Sequence, residues 1–206
     1  MIDLWQKGGP VMWPILFVAL IGLAFVIERL ITLLGKAGLN PLKFMEQVKA
    51  AIDKDGLKGG QDLCDSTPQP VSKILAAGLS KVKLGRSFVE ESMAAAGAVE
   101  LAFLDRGMIW IAMSSTLAPI LGFLGTVTGM IGAFEAIVRA GEVEPSVVAS
   151  GISEALITTA AGLAIAAPMV IFHTLFTQMT DRYSRDMEQA ATSLVDHLLE
   201  KGLLKS

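Results

Sequence analysis

The apolar positions fall into three long uncharged runs, separated by stretches where charge returns every few residues. Gly8–Ile27 is 20 residues without a charge and Gly107–Phe134 is 28. Ala155–Thr180, which follows Glu154, is 26. About 20 apolar residues cross a hydrocarbon layer as a helix. The pattern therefore predicts three membrane spans, over about 9–30, 108–136 and 147–177. Only Lys7 precedes the first run, and Glu28-Arg29 follows it where a signal-peptide cleavage site would need small residues. It is read as a retained span. Pro14 falls in its first turn, where backbone amides have no helical partner to lose.

The segments between the runs also read as helix. In the long loop 31–106, Leu42, Met45, Val48, Ala51 and Ile52 recur at helical spacing, with Lys43, Glu46, Gln47 and Lys49 between them. Gly56, Gly59 and Gly60 are expected to break that helix. Ser66, Pro68 and Pro70 mark a turn before a second helix, from about Val71 to Leu84. Ser87 with Glu90 has the spacing of a capping box. One continuous helix is expected from there through the second span, roughly 50 residues or about 75 Å. In the tail 178–206, Met187, Ala191, Leu194 and Leu198 keep one apolar face, so the third span is expected to run on past the membrane. The fold class is an all-α membrane protein: three transmembrane helices with long cytoplasmic helical extensions, forming one domain over 1–206.

Composition agrees with this class. Hydrophobic residues are 52% of the chain and charged residues 18%, where soluble domains carry about 25% charged. The net charge of −3 leaves no basic excess for nucleic acid. The lone Cys64 has no disulfide partner, and His173 and His197 are too few and too far apart for a metal cluster. No cofactor or metal is expected. Lys and Arg set the orientation. Eleven lie between Glu28 and Arg106 and four from Asp181 onward, so 15 of 17 share one side. Loop and tail are expected in the cytoplasm, and the N-terminus outside.

Two stripes of small residues line the second run. Ala118, Gly122, Gly125, Gly129, Gly132 and Ala136 form one; Ser115, Pro119, Gly122, Thr126, Gly129 and Ala133 form the other. The third run offers Ala155, Thr159, Gly162 and Ala166. In lipid, small residues let backbones approach closely and associate through van der Waals contact. One stripe serves a hairpin of the two spans; two adjacent stripes favour an oligomer.

A hairpin centred near Glu142 puts Thr126 and Thr159 at nearly the same depth, with Thr158 beside Thr159 and Thr128 close to Thr126. A threonine hydroxyl donates and accepts but holds no charge near neutral pH. These groups either bond back to their own helices or line a path for water or protons. Glu154, inside an apolar stretch, is either an interfacial carboxylate or part of an ion path. Ser150 and Ser153 beside it suit a wet vestibule. His173 is expected near the cytoplasmic surface. No titratable residue falls near the midplane, so a carboxylate that carries protons there would belong to a second protein.

The stretch Ala118-Pro119-Ile120-Leu121-Gly122-Phe123-Leu124-Gly125-Thr126-Val127, followed by Gly129-Met130-Ile131, resembles the second-span signature of the MotA/TolQ/ExbB proton channel family. Gly151-Ile152-Ser153-Glu154-Ala155-Leu156-Ile157-Thr158-Thr159-Ala160-Ala161-Gly162-Leu163, then Ala167-Pro168, resembles its third-span signature. Gly8-Gly9-Pro10 and Glu28-Arg29-Leu30 are similar to ExbB-type members, and three spans rather than four separate the chain from MotA. Phe123 stands where Leu is commoner, and His173 replaces a usual Asn.

The resemblance implies a pentameric ring around ExbD- or TolR-like single-span partners, each with a membrane aspartate. It implies Thr126, Thr159, Thr158 and Glu154 as residues of the proton path. Gly122, Gly125, Gly129, Gly132, Ala155, Gly162, Pro119 and Pro168 are its helix-packing positions. The function implied is an inner-membrane stator that couples the proton motive force to TonB-dependent outer-membrane transport. A TolQ-like role acting through TolA, or a non-conducting scaffold or small transporter, are the alternatives. No Gly-x-Ser-x-Gly, His-Glu-x-x-His or paired intramembrane aspartates occur, so no enzyme is expected.

Overall fold

In the computed structural model, residues 7–36, 40–141 and 145–204 are described. Six α-helices follow in order: α1 Met12–Lys36, α2 Pro41–Ser66, α3 Pro70–Lys81, α4 Arg86–Asp105, α5 Met108–Ala140 and α6 Pro145–Glu200. A 3-10 turn, Val82–Leu84, joins α3 to α4, and no strand occurs among the described residues. Segments within Met12–Leu33, Arg86–Arg139 and Pro145–Glu200 are long and apolar enough to cross a membrane. The chain divides into two compact units, one drawn from Met1–Arg29 and Gly107–Leu175, the other from Leu30–Arg106 and Phe176–Ser206.

The first unit is a three-helix assembly of α1, α5 and the first part of α6. A Cβ on Gly22 of α1 would lie 2.9 Å from Ser114 Oγ and 2.9 Å from Met169 Sδ, so this glycine lets α1 approach both other helices. Ser114 donates to the Val18 carbonyl at 3.3 Å and to Trp110 at 2.8 Å. One turn on, Phe25 stacks on Trp110 with centroids 5.6 Å apart. At the end of this part of α1, Arg29 is 1% exposed and donates to both oxygens of Glu28, at 2.6 and 2.7 Å.

The second unit is a helical bundle of α2, α3, α4 and the last part of α6. Its core joins Phe44, Met45, Val48 and Ile52 to Val71, Ile74 and Leu75, and these to Val89, Met93 and Leu104. Met187, Leu194 and Leu198 of α6 are buried with Ala191 half-buried, so the apolar face expected there exists and α6 does run on unbroken. Asn40 caps α2, its Oδ1 accepting from the Leu42 and Lys43 amides, with Pro41 in the first turn.

Three local expectations fail. α4 and α5 are not one helix: Arg106 is extended (ψ 127°) and Gly107 is left-handed (φ 89°). Only glycine adopts that φ cheaply, and a Cβ at Gly107 would also stand 2.9 Å from the Phe25 ring. The break was hidden because Gly107 opens the uncharged run. Of the three glycines in α2, only Gly56 leaves helical geometry (φ 69°, ψ −165°), while Gly59 and Gly60 stay within the helix. Ser87 caps nothing: α4 begins one residue earlier, at Arg86 after Gly85, and Glu90 instead accepts from Arg86 at 2.7 Å. Ahead of α3 the Ser72 hydroxyl accepts from the Gln69 amide at 3.2 Å, half of a capping box.

Candidate functional site

The two motif stretches lie against each other as the antiparallel pair α5 and α6. A Cβ on Gly122 would stand 2.9 Å from the Thr158 carbonyl oxygen and 3.1 Å from Thr159 Cα. One on Gly129 would stand 3.1 Å from the Gly151 oxygen, and one on Gly162 would run into the Ala118 carbonyl. Gly125 receives the Thr158 side chain. The seam is therefore built on Ala118, Gly122, Gly125, Gly129 and Ala133, all buried, facing Gly151, Ala155, Thr158 and Gly162. Gly132 is outside it: it is exposed, with nothing within 4 Å of a Cβ placed there. Pro119 is half-buried at the seam's edge, and Pro168 is exposed.

The register differs from the sequence estimate. Thr159 donates to the Gly122 carbonyl across the pair at 3.2 Å, so it lies opposite Gly122, about one turn from the level of Thr126. Glu142, on which the estimate was centred, is outside the described residues. Each hydroxyl also has a partner in its own helix. Thr126 donates to Phe123 at 2.6 Å, Thr128 to Leu124 at 3.1 Å, Thr158 to Ala155 at 2.9 Å and Thr159 to Ala155 at 3.2 Å. Thr158 is fully buried in the seam, whereas Thr126 is half-buried on the flank that α6 leaves open. Every donor is used, yet each hydroxyl oxygen keeps lone pairs that accept.

Glu154 is half-buried, and the N-terminal motif closes over it. Gly9 is left-handed (φ 67°), and a Cβ on it would coincide with the Glu154 carboxylate; Gly8 packs against Ile157 in the same way. Among the described residues no cation pairs with Glu154. Ser150 and Ser153 are exposed, and His173 is half-buried. No cluster of three or more His, Cys, Asp or Glu side chains able to hold a metal occurs among the described residues.

The second unit holds polar groups that the sequence reading passed over. Glu100 is 8% exposed and accepts from Lys73 at 2.7 Å. Thr180 and Tyr183 are buried, and their hydroxyls have no partner among the described residues. Burial, with Glu100 and Asp186 adding, pushes the Tyr183 phenol up to about 12. The signal was present: Glu100 interrupts the apolar series Val89, Met93, Leu104 at a core position. Asp53 accepts from Lys201 at 2.8 Å and meets His197 Nε2 at 3.0 Å, tying α2 to the end of α6. The Lys201 ammonium foremost, then His197, holds the Asp53 carboxyl below its usual value. Burial, with Asp65 adding, pushes the Cys64 thiol up to about 12, leaving it a neutral core group.

Residues 66–189 match the MotA/TolQ/ExbB proton channel family. A biopolymer transport protein ExbB homolog of Methanothermobacter thermautotrophicus is 27% identical over 188 residues, 91% of this chain and 66% of its own. An ExbB-like biopolymer transport protein of Synechocystis is 31% identical over 81% of this chain and 66% of its own. A biopolymer transport protein exbB1 of Vibrio cholerae is 27% identical over 90% and 83%. The chain thus spans just under two thirds of the length of the first two relatives. With its three apolar helices, it is a multi-pass membrane protein.

Proposed function

We propose an energy-coupling role from one premise: the chain belongs to the MotA/TolQ/ExbB proton channel family, as an ExbB-like member. In this reading it is an inner-membrane stator subunit. Its loop and tail lie in the cytoplasm, as the Lys and Arg distribution supports. Several copies, five by family resemblance, enclose a dimer of single-span ExbD-like partners and pass work to a TonB-like protein. Each proton supplies about 2.3 kcal/mol per 100 mV of potential.

The observation that carries the reading is the pairing of the two family motifs through a glycine seam that presents hydroxyls but no acid. Thr159 bridges α6 to α5 at Gly122, and Thr126 sits on the adjoining open flank. Hydroxyls relay a proton and do not store one. The storing carboxylate then comes from the partner's span. Glu154, under Gly9 and among exposed serines, is the outer entry. The uncovered Gly132 and the half-buried Pro119 flank the seam on opposite edges, so each edge of α5 offers a small-residue contact to a neighbouring copy.

Thr126→Val with Thr159→Val tests this. Proton-motive-force-dependent transport is expected to vanish while the oligomer still purifies with its partner. Normal uptake in the double variant refutes the path.

A further inference from the structure

The second unit contains a long groove between α4 and the end of α6, enclosing about 580 Å³. Its floor is apolar: Ile74, Met93, Met187 and Val195 line it. It runs from Arg86 to Leu101 on one wall and from Ser184 to Asp196 on the other, about 20 Å of helix on each side. Gly97, Ala98 and Ala191 keep the walls low. Two methionines give the floor side chains that adapt to what they meet. This is the shape that receives an amphipathic helix of three to four turns.

The rim selects the charge of the occupant. Glu90, Glu188 and Asp196 stand on it against Arg86 alone, and Arg86 already donates to Glu90 at 2.7 Å. Glu188 and Asp196 are exposed and make no ion pair within 4 Å among the described residues; Arg86, bonded to Glu90, attracts Asp196 only from further off. An occupant with Lys or Arg beside an apolar face would satisfy both floor and rim. Any single-span protein with its short end in the cytoplasm carries such residues next to its span, because Lys and Arg decide which end stays inside.

We propose that this groove receives the basic, helical cytoplasmic flank of the single-span partner, docking that partner to the second unit as well as within the membrane. The inference rests on the energy-coupling reading above. It adds to that reading a cytoplasmic anchor, held by apolar contact and by Glu188 and Asp196.

Cysteine cross-linking of the co-purified complex tests it. Cys64 is the chain's only cysteine, so in a Cys64→Ala background Ala94→Cys or Ala191→Cys places a single thiol in the groove. Cysteines are introduced one at a time along the partner's cytoplasmic flank. Cross-links to the partner are expected, recurring every three or four positions. Glu188→Lys with Asp196→Lys should cut their yield at least tenfold, and Lys→Glu changes in the flank should restore it. A cross-link joining two copies of this chain overturns the proposal and makes the groove a subunit contact. A yield indifferent to the rim charges overturns it too. If the complex forms and energises transport with no cross-link, the groove assignment falls and the energy-coupling reading stands. If no single-span protein accompanies the wild-type chain, both fall.

Discussion

Gly122→Ala tests the helix seam directly. The new Cβ would lie 2.9 Å from the Thr158 oxygen, 3.1 Å from Thr159 Cα and 3.5 Å from Gly162 Cα. All three are backbone atoms, so no side chain can rotate away. Ordinary contact begins at 3.4 Å, and α6 must retreat by about 0.5 Å to reach it. The Thr159 bond to the Gly122 carbonyl, already 3.2 Å, then lengthens to about 3.7 Å, beyond useful range. Such a bond between membrane helices is worth about 0.6 kcal/mol, up to about 1.7. Overpacking adds about 1–3 kcal/mol. Alanine's better helix propensity returns about 1 kcal/mol. The net expectation is a loss of about 0.6–2.6 kcal/mol, up to about 3.7 with the strongest such bond. Gly132→Ala is the internal control, because its Cβ meets nothing. Within one chain it should be neutral or stabilise by up to about 1 kcal/mol, and any damage should appear only in assembly. Both are read by reversible unfolding of the full chain in mixed micelles, alongside the size of the assembly. If Gly122→Ala matches the wild type, or Gly132→Ala is the more damaging to the isolated chain, the seam argument is wrong.

Tyr183→Phe removes a buried hydroxyl with no partner among the described residues. Leaving such a group unsatisfied costs about 1–3 kcal/mol, so thermal unfolding in detergent should move up; a fall would mean that the hydroxyl is bonded. Asp53 is held below its usual carboxyl value of 3.8 by Lys201 and His197. A depressed carboxylate contributes stability above the unfolded pKa and loses it as pH falls through the folded one. Asp53→Asn should therefore flatten the loss of stability below about pH 4, and acid titration of the full chain would show an unchanged slope if the cluster were idle. Gly9→Ala should displace Glu154 and strain a left-handed backbone. Slower energy-dependent transport with normal assembly is expected, and wild-type rates would remove Glu154 from the entry.

The spans were legible because lipid imposes a simple demand. A run of about 20 uncharged residues must form a helix, since unpaired backbone groups are too costly in hydrocarbon. Helix continuity was less legible. Gly107 sits in an uncharged run, where composition marks it as membrane, and the crowding that a side chain there would meet comes from Phe25 in a distant segment. The stripe of small residues announced close packing but not which face meets which helix. Tertiary contact assigns Gly122, Gly125 and Gly129 to the hairpin and leaves Gly132 outside it. The hairpin register escaped for a related reason. Equal counting from an assumed turn ignores the side chains in the seam, and Thr159 settles opposite Gly122 instead of Thr126. Glu100 was readable as a break in the apolar series of α4, whereas the buried hydroxyls of Thr180 and Tyr183 needed the end of α6 packed in the second unit before they could be recognised.

The chemistry of the seam bears on why hydroxyls, and not acids, stand there. A carboxylate at the position of Thr159 would cost several kcal/mol to bury, by amounts that scales and simulations dispute. It would also keep a proton bound in a fixed place. Thr159 costs little, because its donor is spent on carbonyls within 3.2 Å whether or not a proton passes. In the proposed energy-coupling reading, conduction depends on where the partner's mobile acid stands, and a proton crosses only when that acid reaches the hydroxyls. Coupling of flow to motion follows from that dependence. Thr159→Ser removes a methyl group but keeps the hydroxyl, and should keep coupled transport. Thr159→Asp supplies a fixed proton store in its place and should uncouple or block. If the aspartate variant transported as well as the serine one, a stationary acid would suffice, and the moving-partner reading would have to be abandoned.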